Sequence, residues 1–388
     1  MRQLMAIISR IIFWLVGRTH DEKLIYFESF HGKQYSDNPK ALYVYLKEYY
    51  PEYTLVWGVT KGHEKPFLDE KVSYVSRFSF KWFLTMPRAH MWVINTRTPS
   101  WLPKSKKTTY LQTWHGTPLK TIGIDIPEVK IPGYTKESYE TEFRQESQRW
   151  DYLISPSDYA TAIFRQAFAY EGEILSSGYP RNDALFHQED KKQKALKETL
   201  GIAPDKKVIL YAPTWRETEQ RINGQYQFTT TFPFNEISEQ FQEDMVLLVR
   251  MHYLVAASLD KHLSANIINV SSGYDMTDIL SISDTLITDY SSSMFDYVLT
   301  DKPVIFYIPD KREYETQLRG FYFPLGEQLP GPMVTNPRDL LTTLARFNRH
   351  PDRIKTPHYN TFKQSFTQYE TGRASQQVID NVLLKRED

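Results

Sequence analysis

The residues of this chain best placed for acid–base chemistry are two histidines that each close an apolar run. His115 lies in Trp114-His115-Gly116-Thr117-Pro118-Leu119-Lys120, directly after the run 110–113. His252 ends Leu248-Val249-Arg250-Met251-His252. An imidazole titrates near neutrality, so it can take or give a proton at pH 7. At the end of a buried strand it projects from the carboxyl edge of a sheet, where open α/β folds bind ligands. Two such histidines, about 140 residues apart in the numbering, predict one catalytic cleft between two α/β domains.

Other segments fit anion binding. Thr288-Asp289-Tyr290-Ser291-Ser292-Ser293 follows the apolar residues 285–287 and precedes a helical pattern. Serine is a favoured helix cap, and the N–H groups of a first turn bind anions, so the stretch suits either a diphosphate cradle or a plain capped helix. Arg216, in Tyr211-Ala212-Pro213-Thr214-Trp215-Arg216, ends another buried strand. Its planar fork matches phosphate, though a surface ion pair uses the same group. Arg319-Gly320 falls in a loop that suits a nucleotide lid or a connector.

Several chemistries are excluded. The chain has no cysteine, hence no disulfide, thiolate nucleophile or Cys-ligated metal. It has no zinc helix motif, no carboxylate pair spaced for Mg²⁺, no Walker A loop, no GxGxxG and no clear Asp-x-Asp. Kinase and dehydrogenase readings therefore lack their basic parts.

The elements that must position these groups alternate along the chain. Strands are predicted at 23–27, 53–59, 91–95, 109–113, 152–155, 208–211, 245–250, 285–288 and 303–307. Helices are predicted at 39–48, 159–168, 189–200, 235–241, 276–281, 292–299 and 337–347. Such alternation predicts parallel sheets. With 388 residues, two domains are expected. The divisions are an N-terminal helix over 1–20, a first domain over 21–180, a second over 181–355, and a terminal segment, 356–388, packing back on the first. Residues 217–232 read as a polar loop.

The formal net charge of zero conceals an asymmetry: residues 1–120 carry 18 Lys+Arg against 9 Asp+Glu. From Lys71 to Lys120 there is no acidic residue, and aromatic residues are interleaved with the basic ones. Such a face suits anionic lipid headgroups, or a solvated basic surface over an aromatic core. Residues 4–16 are apolar except Ser9 and Arg10. That is shorter than the roughly 20 residues needed to span a bilayer, and it lacks a small-residue cleavage site. An interfacial helix is expected, the alternative being a helix packed on the protein itself.

Seven motifs occur in order: WHGTPLK, GYPRND, YAPTWR, RMH, ITDYSS followed by FDY, KPVIFY-x-PD, and RGFY. Together they resemble the CDP-glycerol glycerophosphotransferases of wall teichoic acid synthesis, the TagB/TagF type, over roughly residues 20–350. The resemblance implies a GT-B-like pair of Rossmann-type domains facing a central cleft. It implies transfer of glycerol phosphate from CDP-glycerol to a hydroxyl of an undecaprenyl-diphosphate disaccharide, with release of CMP. By length the chain is most like the primase. Ribitol-phosphate transferases using CDP-ribitol, and poly(alditol phosphate) or capsule polymerases, share the motifs. A GT-B glycosyltransferase using a nucleotide sugar is the more remote reading.

The family's two functional histidines correspond to His115 and His252, although Tyr253 stands where many relatives have proline. Its diphosphate contacts correspond to Thr288, Asp289, Ser291 and Ser292, with Arg216 and Arg319 nearby. Gly116, Thr117, Arg181, Asn182, Thr214 and Arg250 complete the expected substrate-binding set. No tightly bound cofactor and no protein metal site is expected; Mg²⁺ can accompany the diphosphate donor. The implied location is peripheral, on the cytoplasmic face of the bacterial membrane, with other teichoic acid enzymes as further partners and no nucleic acid.

Overall fold

The structure, a computed structural model, describes residues 2–129, 133–187, 190–214, 221–222, 225–226, 231–251, 264–310, 320–323, 326, 328–350 and 355–384. The chain forms two compact units. One comprises Met1–Gly116, Thr121–Asp183 and Gln368–Asp388; the other comprises Thr117–Lys120 and Ala184–Thr367.

The first unit is built on seven strands: β1 (Asp21–Glu28), β2 (Thr54–Val59), β3 (Tyr74–Ser76), β4 (Ala89–Ile94), β5 (Thr109–Gln112), β6 (Tyr152–Ser155) and β7 (Glu173–Ser176). They pair in parallel in the order β3-β2-β1-β4-β5-β6-β7. Successive side chains of a strand point to opposite faces. Tyr26 accordingly packs with Trp82, Trp92 and Tyr110, while Ile25 and Phe27 pack with Trp57, Val93 and Leu111. Both faces are buried, which is why the strands read as apolar runs. Strand order reverses between β1 and β4, and the loops leaving such a switch point open a crevice.

The second unit repeats the plan. Its strands are β8 (Lys207–Tyr211), a small antiparallel hairpin of β9 (Arg221–Ile222) and β10 (Gln225–Tyr226), β11 (Met245–Val249), β12 (Ile267–Asn269), β13 (Thr285–Thr288), β14 (Val304–Tyr307) and β15 (Met333–Val334). The parallel sheet runs β12-β11-β8-β13-β14-β15, reversing between β8 and β13. Its core joins Ile209, Leu247, Ile287 and Ile305 to Leu340 and Leu344 of the helix Pro337–Arg349.

Three local expectations change. The helix expected over 292–299 is Ser293–Tyr297 followed by a tighter turn, Val298–Thr300. The hairpin β9–β10 interrupts the expected loop at 217–232. The terminal segment divides: helix Tyr359–Phe366 belongs to the second unit, where Phe362 stacks on Phe295 at 5.4 Å and the Tyr359 hydroxyl donates to Lys302 O. Only from Gln368 does the chain join the first unit, placing Val378, Ile379 and Val382 against its sheet.

The helix Arg2–Val16 inverts the usual amphipathic arrangement. Phe13 is buried against Trp82 and Phe83, and Ser9 is buried with it. Ile7, Ile8, Ile11, Trp14 and Leu15 are exposed, as are Phe78, Phe80 and Leu84. Among the described residues, no helix is long and apolar enough to cross a membrane.

Candidate functional site

His115 stands three residues beyond β5. Its Nδ1 lies 2.7 Å from the backbone oxygen of Asn95, just past β4. A carbonyl oxygen only accepts, so Nδ1 carries the proton and the neutral ring presents Nε2 as a lone-pair base. Trp114 stacks on the ring at 4.3 Å. Burial lowers the imidazole pKa from its ordinary value; the bond to Asn95 and the charge of Asp37 oppose that drop, and Arg181 adds to it. The residue keeps exposed surface, which limits how far the pKa falls.

The backbone around this ring is strained. Phe30, His31, Asp37 and Trp114 all have positive φ, between 46° and 66° for the first three and 48° for Trp114. Such conformations cost non-glycine residues about 1–3 kcal/mol each, and they persist where the surroundings over-determine them. Here buried amides do so. Asn38 Nδ2 donates to the carbonyls of Thr113 and Trp114, at 3.1 and 3.2 Å. Asn95 Oδ1 accepts from Phe30 N at 2.9 Å, and Asn95 Nδ2 donates to Asp37 at 2.6 Å. Arg181 closes the network with an ion pair to Asp37 at 2.7 Å, while its own N–H donates to Asn38. Arg181, Asp37 and Asn95 thus form one bonded chain ending on the carbonyl that orients His115.

The expected Arg181 therefore reaches the histidine network, but its guanidinium is tied to Asp37. Asn182 is 1% exposed and donates to Glu370 at 2.9 Å, making a structural joint. Gly116 is the last residue of its stretch of the first unit, and Thr117 begins a short excursion into the second. There Leu119 O accepts from Tyr322 N, and Lys120 bridges Phe321.

In the second unit the expected residues collect at its own switch point. The Asp289 carboxylate accepts from Thr214 N at 2.8 Å and from Tyr290 N, tying the end of β8 to the end of β13. Thr288 is fully buried and its hydroxyl donates to Ala212 O at 2.7 Å. Both bonds help fix the loops that leave β8 and β13. Arg250 Nη1 donates to the carbonyls of Val270 and Tyr274, again a structural use, and burial lowers its pKa. Ser291 and Ser292 are partly exposed, with Ser291 Oγ 3.0 Å from Ser293 Oγ. His252, Arg216 and Arg319 lie outside the described residues. Among the described residues no cluster of His, Asp and Glu could hold a metal ion.

Sequence reasoning missed Asp37, Asn38 and Asn95. The signal for Asn95 was present, since it closes a predicted strand as His115 does; Asp37 and Asn38 carry no local pattern.

A family model described as CDP-Glycerol:Poly(glycerophosphate) glycerophosphotransferase matches residues 11–384. The chain is 48% identical over 374 residues to a teichoic acid glycerol-phosphate transferase of Staphylococcus aureus, covering 96% of this chain and 95% of that protein. It is 41% identical over 363 residues to a teichoic acid poly(glycerol phosphate) polymerase of Bacillus subtilis, covering 93% of this chain but 48% of that protein, about half its length. A teichoic acid glycerol-phosphate primase of Bacillus subtilis is more distant, at 29% over 287 residues. Among solved structures, a variant of the wall teichoic acid polymerase TagF soaked with CDPG superposes with a TM-score of 0.89 at 36% identity, covering 99% of this chain and 96% of that one.

Proposed function

We propose that this chain, which belongs to the CDP-glycerol:poly(glycerophosphate) glycerophosphotransferase family, transfers glycerol phosphate from CDP-glycerol to a hydroxyl of a lipid-linked acceptor and uses His115 as the base. The chain is a glycerophosphotransferase of teichoic acid synthesis. The observation that carries the mechanism is the bond between His115 Nδ1 and Asn95 O, which leaves Nε2 as the basic nitrogen.

The acceptor oxygen attacks the phosphorus bearing glycerol, and its proton passes to Nε2. The bond from that phosphorus to the bridging oxygen breaks, and CMP leaves with the electron pair. A positioned base contributes about 10²–10⁴-fold. A neutral imidazole is needed, and the lowered pKa of His115 provides one at pH 7. His252 would protonate the departing phosphate or stabilise the transferring group. Ser291, Ser292 and Arg216 would hold the diphosphate and the charge that develops on it, with Arg319 beside them. Holding the nucleophile in line with phosphorus supplies much of the remaining acceleration.

The inverted helix Arg2–Val16 supports peripheral attachment to the cytoplasmic face of the membrane. Its exposed apolar face, extended by Phe78, Phe80 and Leu84, matches the interfacial type of helix rather than a spanning one. Basic residues from Lys71 onward add attraction to anionic headgroups.

The test is turnover by the purified protein with a short-lipid disaccharide acceptor, following CMP release and product mass. CMP released in step with a mass gain of one or more glycerol phosphates supports the reading. Release of CMP from CDP-ribitol alone changes the donor. Release of a nucleoside diphosphate from a nucleotide sugar, with CDP-glycerol inert, overturns it.

A further inference from the structure

A pocket of about 560 Å³ opens beside His115 within the first unit. Trp101, Trp114 and Tyr134 contribute aromatic walls, and Arg77, Arg97 and His31 contribute polar ones. Each cation is differently engaged. Arg77 pairs with buried Glu28 at 3.0 Å and donates to His31 O at 2.8 Å, so its charge is already matched. His31 is held neutral at pH 7, its pKa lowered to about 4 by burial and then by the charges of Arg77, Lys33 and Arg97; its solvent exposure tempers that drop.

Arg97 differs. Its guanidinium lies over the rings of Tyr139 and Phe143, at 5.1 and 4.5 Å, and it makes no ion pair among the described residues. The pocket's two carboxylates are used elsewhere. Glu146 pairs with Arg149 and accepts from Thr98 N and the Tyr110 hydroxyl, while Glu142 accepts from the Tyr134 hydroxyl at 3.0 Å. A stacked guanidinium keeps its N–H edge available, and that edge fits a phosphate bidentately.

We propose that this pocket is the acceptor subsite, and that Arg97 reads a phosphate already carried by the acceptor. The proposal rests on the transfer reaction above. It places the acceptor's last phosphodiester at Arg97 and the carbon-bound face of its glycerol against Trp101 and Trp114. The terminal hydroxyl then lies toward His115 Nε2. Arg97 thereby makes the protein select an acceptor that bears glycerol phosphate over one that does not.

The experiment compares two short-lipid disaccharide acceptors, one with a terminal glycerol phosphate and one without, using full-length wild type, Arg97→Gln and Arg97→Lys. Circular dichroism confirms that each variant is folded, and Gln retains much of the side chain that covers Tyr139 and Phe143. Arg97→Gln should raise KM for the phosphate-bearing acceptor about 10- to 100-fold, the worth of one charged hydrogen bond. KM for CDP-glycerol should stay within about twofold, well below that effect, the wild-type preference for the phosphate-bearing acceptor should shrink by a similar factor, and Arg97→Lys should recover part of the loss. An unchanged acceptor KM, or a rise in donor KM instead, overturns the subsite. If wild type transfers nothing from CDP-glycerol, the functional reading itself falls; if it transfers and Arg97→Gln matches it, only the subsite falls.

Discussion

Replacing Asp37 should damage both stability and turnover, and the size of each effect follows from its bonds. Asp37 is buried, pairs with Arg181 at 2.7 Å and accepts from Asn95 at 2.6 Å. The Arg181 side chain is only 11% exposed, so Asp37→Ala removes the carboxylate paired with a largely desolvated cation. Removing one partner of such a pair typically costs about 3–5 kcal/mol. Alanine at a φ of 66° adds backbone strain that asparagine tolerates better. For a unit of this size each kcal/mol lowers Tm by about 2–4 °C, which gives a drop of roughly 6–20 °C by scanning fluorimetry. Asp37→Asn should lose less, because it retains an acceptor oxygen. Asp37→Ala with Arg181→Leu should recover more than half of the loss, since the buried charge is then gone. In the folded fraction, kcat should fall about 10- to 100-fold, because Asn95 loses a partner and its carbonyl orients the base. If the two substitutions are simply additive in Tm, or if Asp37→Ala stays within about 1 kcal/mol of wild type, the coupled network is refuted.

Three further outcomes are expected. The acid limb of kcat/KM against pH should have its midpoint below the ordinary histidine value of 6.5, because burial lowers the pKa of His115 and activity is lost as pH falls through that lowered value; Asp37→Asn should move it lower still, since Asp37 raises that pKa, and a midpoint above 6.5 would count against the assignment. Gly123→Ala should lower stability by at least about 2 kcal/mol in a thermal melt: Gly123 has a φ of 57°, and a β-carbon there would lie 1.9 Å from Ala167 O. Ile11→Glu with Trp14→Glu should weaken sedimentation with anionic vesicles at least tenfold while leaving Tm unchanged, since both side chains are more than half exposed; unchanged sedimentation would remove this helix from the membrane account.

The centre of each sheet is legible in the sequence and its edges are not. All nine predicted strands occur, within two residues at each end. In the parallel sheets the strands left out are β3, β7, β12 and β15, the four edge strands. They are two to four residues long, and edge strands pack on one side only, so they lack the doubly buried apolar run that marks an interior strand. His115 was legible because it closes such a run. Asp37 and Arg181 were not legible as a pair, since they are 144 positions apart and meet only through the fold. Thr288 and Asp289 also carry a role that their place beside a serine cluster does not announce: the Thr288 hydroxyl donates to Ala212 O and the Asp289 carboxylate accepts from Thr214 N, which stitches β8 to β13.

The most direct test of the account is the kinetics of His115→Ala, with CDP-glycerol binding measured by calorimetry on the same protein. If His115 is the base, kcat should fall about 10²–10⁴-fold while the dissociation constant for CDP-glycerol changes less than about threefold, a small shift beside that loss. Turnover that stays within about threefold of wild type would contradict the central claim.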